Sequence, residues 1–299
     1  MMEFPRIEKG LPRNIVFESP HQACELPEEC QAYPALVTQA ARRCDTHIDT
    51  VGRLLLEEVG GVLLSSPFSR MVVDLNRGVD RVDARVCPAW PGARVYEDGG
   101  VIVPYLKKRG RLIPLYEHSL GGDEVEARLT RYWYPYHETL RQCLNGMMAR
   151  YGHAILISLH SAVPTCSPEA TVARPVVYLG TGNGATCDAS LLSLLRGMIE
   201  SQGAQVVTQD YYQGAFTTQA YGREKEIQAV QIEFDRRFLG EGMVEGVLAG
   251  AARNLIHAVA VGLRAISVAG ERPPATGRSK RAGSMRSYID PLSGEIQYY

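Results

Sequence analysis

An α/β fold is predicted by three features of this sequence. Residues 154–159 are apolar at five of six positions, the pattern of a strand covered on both faces, and they follow a segment with helical spacing. A second short apolar run, 14–17, is likewise followed by a histidine: His21 in one case, His160 in the other. Near the C-terminus, residues from about 241 to 268 form an apolar, alanine-rich helix of the kind that packs on a sheet. Ligands gather at the carboxyl ends of strands in open α/β sheets. Both imidazoles are therefore expected where chemistry is done, although a buried structural histidine is the competing reading for each.

The 299 residues suffice for one large domain or two ordinary ones, and 45% hydrophobic with 22% charged residues is an ordinary globular balance. A formal net charge of −1 gives no reason to expect nucleic acid or an anionic membrane as partner. No apolar run approaches the roughly 20 residues that span a bilayer, and the first residues lack the apolar core of a signal peptide. The seven cysteines (24, 30, 44, 87, 143, 166, 187) contain no CxxC pair and leave one over under any pairing. Reduced thiols in a cytoplasmic protein are the expectation.

In chain order, the first strand lies within 14–21 and delivers His21 to a loop, with Glu25 close behind. Two strand-then-histidine endings 139 positions apart suggest a metal site, because zinc accepts imidazole nitrogens and carboxylate oxygens readily. Asp45 and Asp49 follow, four apart on the entry to a helix that continues through Leu56. Either could ligate; either could be a capping or solvated charge. Residues 61–66 read as a second strand, and 69–77 carry another short apolar core that ends by presenting Asn76 and Arg77. A guanidinium matches a carboxylate bidentately, so a substrate acid group is one partner for Arg77; Asp74 or Asp80 is the other.

From 78 to 122, prolines and glycines separate short β-prone pieces, which reads as an insertion or lid over the site. Residues 124–151 have helical spacing broken near Pro135, where His137 either faces the site or packs among aromatics. The breaker-rich run 163–168 follows His160. After the strand at 176–179, the run 180–184 is glycine-rich but lacks the lysine or acidic partner of a nucleotide-binding loop. A helix over 188–201 and a strand over 205–208 precede a hydroxyl-dense loop at 211–222 containing Thr217 and Thr218. The strand 227–234 carries Glu233 near its end, as a general base or as an edge charge. The tail 270–299 is rich in Pro, Ser, Gly, Lys and Arg and is expected to be mobile.

Seven short blocks occur in one order: Ser19-Pro20-His21, Ser69-Arg70 with Asp74-Leu75-Asn76-Arg77, Tyr134 to Leu140, Leu159-His160-Ser161, Leu179-Gly180-Thr181, Gln213 to Thr218, and Gln231-Ile232-Glu233. Together they resemble the N-formylglutamate amidohydrolase (deformylase) family, similar in fold to zinc carboxypeptidases and succinylglutamate desuccinylase, across residues 14 to about 260. The resemblance implies a single three-layer α/β domain over 1–269, with a mixed, mostly parallel sheet between helices. It implies one zinc ion held by His21, His160 and a carboxylate, Asp45 in the family's pattern or Glu25 in the desuccinylase-like relatives. Glu233 would take a proton from water and return it to the leaving amine, and Arg70 would help hold the oxyanion. Asn76, Arg77, Thr217, Thr218 and His137 would line the substrate site. The implied activity is hydrolysis of an N-acyl amino acid, N-formyl-L-glutamate foremost, in the cytoplasm and with no nucleic-acid or membrane partner.

Two departures bear on substrate choice. The family's glycine soon after the first histidine is absent from His21-Gln22-Ala23-Cys24, and Gln219 stands where a basic residue is usual. An amidase or carboxypeptidase-like hydrolase on another N-acyl amino acid or peptide is therefore the rival within the class. A metal-free binding protein on the same fold is the rival outside it.

Overall fold

The structure is a computed structural model that describes residues 3–40, 43–97, 99–108, 111–162, 175–208, 213–240, 248–268, 287–289 and 296–298. Its strands in chain order are β1 (Arg6–Lys9), β2 (Ile15–Ser19), β3 (Val62–Ser65), β4 (Tyr105–Lys108), β5 (Arg111–Pro114), β6 (Ala154–Ala162), β7 (Val176–Gly180), β8 (Gln205–Val207), β9 (Ile227–Asp235), β10 (Ser287–Ile289) and β11 (Ile296–Tyr298). Seven of them build one sheet in the order β1-β3-β2-β6-β9-β7-β8. The pairs β2–β3, β2–β6, β6–β9 and β7–β8 are parallel, whereas β1 on β3 and β7 on β9 are antiparallel. This is the mixed, mostly parallel sheet expected from the sequence.

The helices are α1 (Pro34–Ala40), α2 (Ile48–Val59), α3 (Gly122–Arg128), α4 (Tyr134–Tyr151), α5 (Ala189–Glu200), α6 (Phe216–Tyr221), α7 (Arg236–Leu239) and α8 (Gly250–Ile266). Alternation along each strand sorts the core into two halves. Ile155, Ile157 and Leu159 of β6 face Leu55 of α2, Leu195 of α5 and Leu255 of α8. Ala154 and Leu156 face the other way, with Trp133, Tyr136 and Leu140. Both faces are thus covered, which is why the central strands read as nearly continuous apolar runs.

The structure departs from the expectations at several points. β1 is a short edge strand ahead of the one taken as first; Ile7 lies 41% exposed, so the segment offers little hydrophobic signal. β6 continues two residues past His160, because its pairing with β9 runs on to Ala162 and Asp235. Asp45 lies in a turn before α2, so Asp45 and Asp49 do not share a helical face. The break near Pro135 is a π turn, Leu129–Trp133, between α3 and α4. Proline has no N–H to give to the carbonyl four residues back, which explains the change of pitch there. Residues 216–221, expected as loop, form α6, entered through Gly214 at φ 97°. Cys24 and Cys44 form a disulfide with Cα atoms 5.4 Å apart, against the expectation of reduced thiols.

Within 78–122, Val79, Val82, Val86, Val101, Ile102 and Leu120 are buried in the core half that holds Trp133, and β4 pairs with β5. The breaker run 163–168 and residues 211, 212 and 241–247 lie outside the described residues. So does the tail from 269 on, except that β10 and β11 pair antiparallel. Among the described residues, no helix is long and apolar enough to cross a membrane.

Candidate active site

Three neighbouring parallel strands change character together along the face covered by α4. β2 passes from Val16 to Glu18, β6 from Leu156 to Ser158 and His160, and β9 from Ala229 to Gln231 and Glu233. Register sets these polar residues side by side: Glu18 opposite Ser158, Ser158 opposite Gln231, His160 opposite Glu233. The apolar first halves anchor the strands in the core, and the polar second halves converge at the carboxyl end of the sheet. His21 enters from the turn directly after β2. Asp45 is brought to it by a backbone hydrogen bond in which the Asp45 N–H donates to the His21 carbonyl, 2.8 Å.

His21, Asp45 and His160 are all buried, and one potential ligand atom from each lies within 4.8 Å of the others. Asp45 Oδ2 is 2.9 Å from His160 Nδ1 and 3.8 Å from His21 Nδ1. His21 Nδ1 is buried with no hydrogen-bond partner. The opposite nitrogen, Nε2, lies 2.7 Å from Asp74 Oδ1, while Asp74 Oδ2 pairs with Arg70. A carboxylate behind an imidazole fixes the ring so that its other nitrogen faces the cation. Arg236 donates to Asp45 Oδ1 (3.2 Å) and to the Cys44 carbonyl (2.8 Å), which leaves Asp45 Oδ2 directed at the two rings. Two imidazoles and a carboxylate, one nitrogen orphaned, make a donor set that fits zinc.

The charges of His21 and Asp45 are consistent with that use. Burial and the Arg70 guanidinium push the His21 pKa down to about 4, so the ring is neutral at pH 7 and able to ligate. Burial works to raise Asp45, but the His160 hydrogen bond and nearby positive groups hold it at about 2. For His160, burial is outweighed by the Glu233 and Asp45 carboxylates, and its pKa is raised. Burial lifts Glu233 to about 7 against the pull of His160 and Arg70, and the negative Asp45 adds to the rise. Gln231 donates to Glu233 Oε1 at 2.9 Å. A buried carboxyl held near neutrality beside two imidazoles is chemically suited to proton transfer.

The other residues singled out in the sequence take varied places. Glu25 is exposed, its carboxylate accepts from the Cys24 N–H at 3.2 Å, and it is not a member of the His21–Asp45–His160 cluster. Asn76 Oδ1 accepts from both the N–H and the hydroxyl of Thr217 (2.9 Å each), and its Nδ2 lies 3.1 Å from His160 Nε2. Arg77 donates to the Asn76 carbonyl at 2.9 Å. Thr218 Oγ1 is buried and has no hydrogen-bond partner. His137 has both ring nitrogens engaged, Nε2 with the Leu75 carbonyl (2.9 Å) and Nδ1 with the Tyr221 hydroxyl (3.0 Å), and its ring lies tilted 4.1 Å from that of Trp133. The sequence reading passed over Glu18, Ser158 and Arg236. A carboxylate inside a strand covered on both faces was the available signal for Glu18.

A buried His–Asp–His cluster at the carboxyl end of a mixed α/β sheet is the kind of site that metal-assisted hydrolases use. Residues 13–239 match the model of the N-formylglutamate amidohydrolase family. The chain is 30% identical over 225 residues to N-formylglutamate deformylase of Pseudomonas putida, covering 73% of this chain and 79% of that protein. It is also 30% identical over 226 residues to the enzyme of the same name from Pseudomonas aeruginosa, with the same coverage. The crystal structure of N-formylglutamate amidohydrolase from Ralstonia eutropha JMP134 superposes with a TM-score of 0.74 at 25% identity, covering 88% of this chain and 96% of that one. The chain belongs to the N-formylglutamate amidohydrolase family.

Proposed function

We propose that this protein hydrolyses the amide bond of N-formyl-L-glutamate to formate and glutamate, with one zinc ion held by His21, Asp45 and His160. The observation that carries the reading is the convergence of those three buried side chains, with His21 Nδ1 left without a partner, beside Glu233 in register with His160. The curated relatives bearing the deformylase name support the substrate. A bound zinc ion would polarise the carbonyl and lower the pKa of water toward about 7.

This chain's own residues do the rest. Glu233, balanced near neutral pH, takes a proton from the attacking water and returns it to the departing amine. Arg70, held by Asp74, supplies positive charge where the oxyanion develops. Arg77 and Thr218, whose hydroxyl has no partner inside the protein, contact the glutamate carboxylates. Asn76 and Thr217 hold each other and, through Asn76, steady His160 from the substrate side. His137 supports that wall by fixing the Leu75 carbonyl next to Asn76. A cytoplasmic location belongs to the same reading; the Cys24–Cys44 disulfide weighs against it, since such bonds are uncommon there.

The test is amine release from a panel of N-formyl, N-acetyl and N-succinyl amino acids, before and after treatment with a chelator. N-formylglutamate should be the fastest substrate, inactive after chelation and restored by zinc. Failure to cleave any member, or indifference to chelation, would refute the proposal. The Gln219 and Gln22-Ala23 departures favour one specific second reading, a different acyl group on the same chemistry, and the same panel would reveal it.

A further inference from the structure

Gln231 lies in β9 two residues before Glu233, on the same face of the sheet, and the chemistry assigned above gives it no task. It is 3% exposed, and a buried amide destabilises the fold unless its ends are hydrogen-bonded. They are: the Ala215 N–H donates to Gln231 Oε1 at 2.8 Å, and Gln231 Nε2 donates to Glu233 Oε1 at 2.9 Å. A backbone N–H can only donate, so the amide oxygen is fixed on Ala215 and the amide nitrogen on Glu233. The opposite orientation would set donor against donor at one end.

The Ala215 end of this bridge is itself anchored. Ala215 directly precedes α6 and follows Gly214, whose carbonyl accepts from Gln219 Nε2 at 2.6 Å. The Gly182 N–H, just after β7, donates to the Gln213 carbonyl at 2.6 Å. Two residues past Ala215, the N–H and hydroxyl of Thr217 both donate to Asn76 Oδ1. One oxygen of Glu233 is thus tied to a backbone segment held at three points. Among the described residues, no hydrogen bond reaches its other oxygen, Oε2. The last torsion of a glutamate side chain is soft, so a carboxyl with no such contact has no preferred plane.

We propose that Gln231 is a positioning residue for the proton transfer: it ties Oε1 of Glu233 to the loop 213–218 and so holds Oε2 toward the attacking water. The inference rests on the reading in which Glu233 moves that proton.

The experiment measures kcat and KM of the zinc-loaded full chain on the fastest substrate of the panel, for Q231M, E233Q and the double variant. Methionine fills a similar space without hydrogen bonds. Q231M should lower kcat by about 10- to 100-fold, the scale set by a misplaced reacting group, with KM and zinc content at parental values. Added to E233Q, the same change should have no further effect, since no base is left to position. A residue needed only for packing would lower the rate by the same factor in both backgrounds. Should Q231M fail to fold, Q231A, which cannot overpack the site, decides. Failure of both to fold would make Gln231 structural and overturn the inference. Parental kcat in Q231M, or equal losses with and without Glu233, overturns it as well and leaves Glu233 in its role. A parental rate in E233Q removes the base itself, and this inference falls with it.

Discussion

Acidification should destabilise this protein through His137, by an amount that can be worked out. The ring is 2% exposed, and burial pushes its pKa down to about 3 from 6.5, so it is neutral in the folded state across the working range. Between pH 6.5 and 3 the unfolded chain therefore carries a proton on this residue that the folded chain does not. Stability from this source is complete above pH 6.5 and is lost as the pH falls. At about 1.36 kcal/mol per pH unit, the loss between pH 6.5 and pH 5 is about 2 kcal/mol. The perturbation is H137Q, which removes the titration and keeps a donor for the Leu75 carbonyl. Urea unfolding of metal-free parent and variant at pH 7.5 and 5.0 isolates the effect, because other groups that titrate cancel in the difference. The parent should lose about 2 kcal/mol more than the variant. Equal losses would mean that His137 is hydrated or protonated in the folded state, and the reasoning from its burial would be wrong.

Three further outcomes are expected. E233Q should reduce kcat by about 10²- to 10⁴-fold while zinc content stays at the parental level; retained activity would remove Glu233 from the proton transfer. D74N should weaken zinc binding by about 10- to 100-fold, since the carboxylate 2.7 Å behind His21 Nε2 is lost; unchanged affinity would show that His21 is oriented by other contacts. The disulfide closes a loop of sequence separation 20, so in the chain-entropy model a C24S protein should be about 3 kcal/mol less stable by urea titration. A midpoint insensitive both to C24S and to a dithiol reductant would contradict the bond.

The convergence of the candidate site's strand residues was legible. His21 and His160 stood out because each follows an apolar run, and Glu233 because it sits near the end of another. Period-two alternation and the rule that ligands gather at carboxyl ends are local, and they act on residues close together in the chain. What stayed hidden depends on distant partners. Asp45 is brought to the two imidazoles by its N–H on the His21 carbonyl and by Arg236, 191 positions away. The hold of Thr217 on the Asn76 oxygen likewise spans 141 positions. The disulfide joins cysteines that no spacing rule pairs; the fold brings the loop after His21 against the turn before Asp45. Glu18 is the exception, because a carboxylate within Ile15–Ser19, a strand buried at every position, is itself a local signal.

The most direct test of the central claim is X-ray diffraction from zinc-loaded crystals collected at the zinc absorption edge. One strong anomalous peak should lie about 2.0–2.2 Å from His21 Nδ1, an Asp45 carboxylate oxygen and His160 Nδ1. A peak elsewhere in the molecule, or none in protein that hydrolyses N-formylglutamate, would contradict a metal-assisted amidohydrolase built on these three side chains.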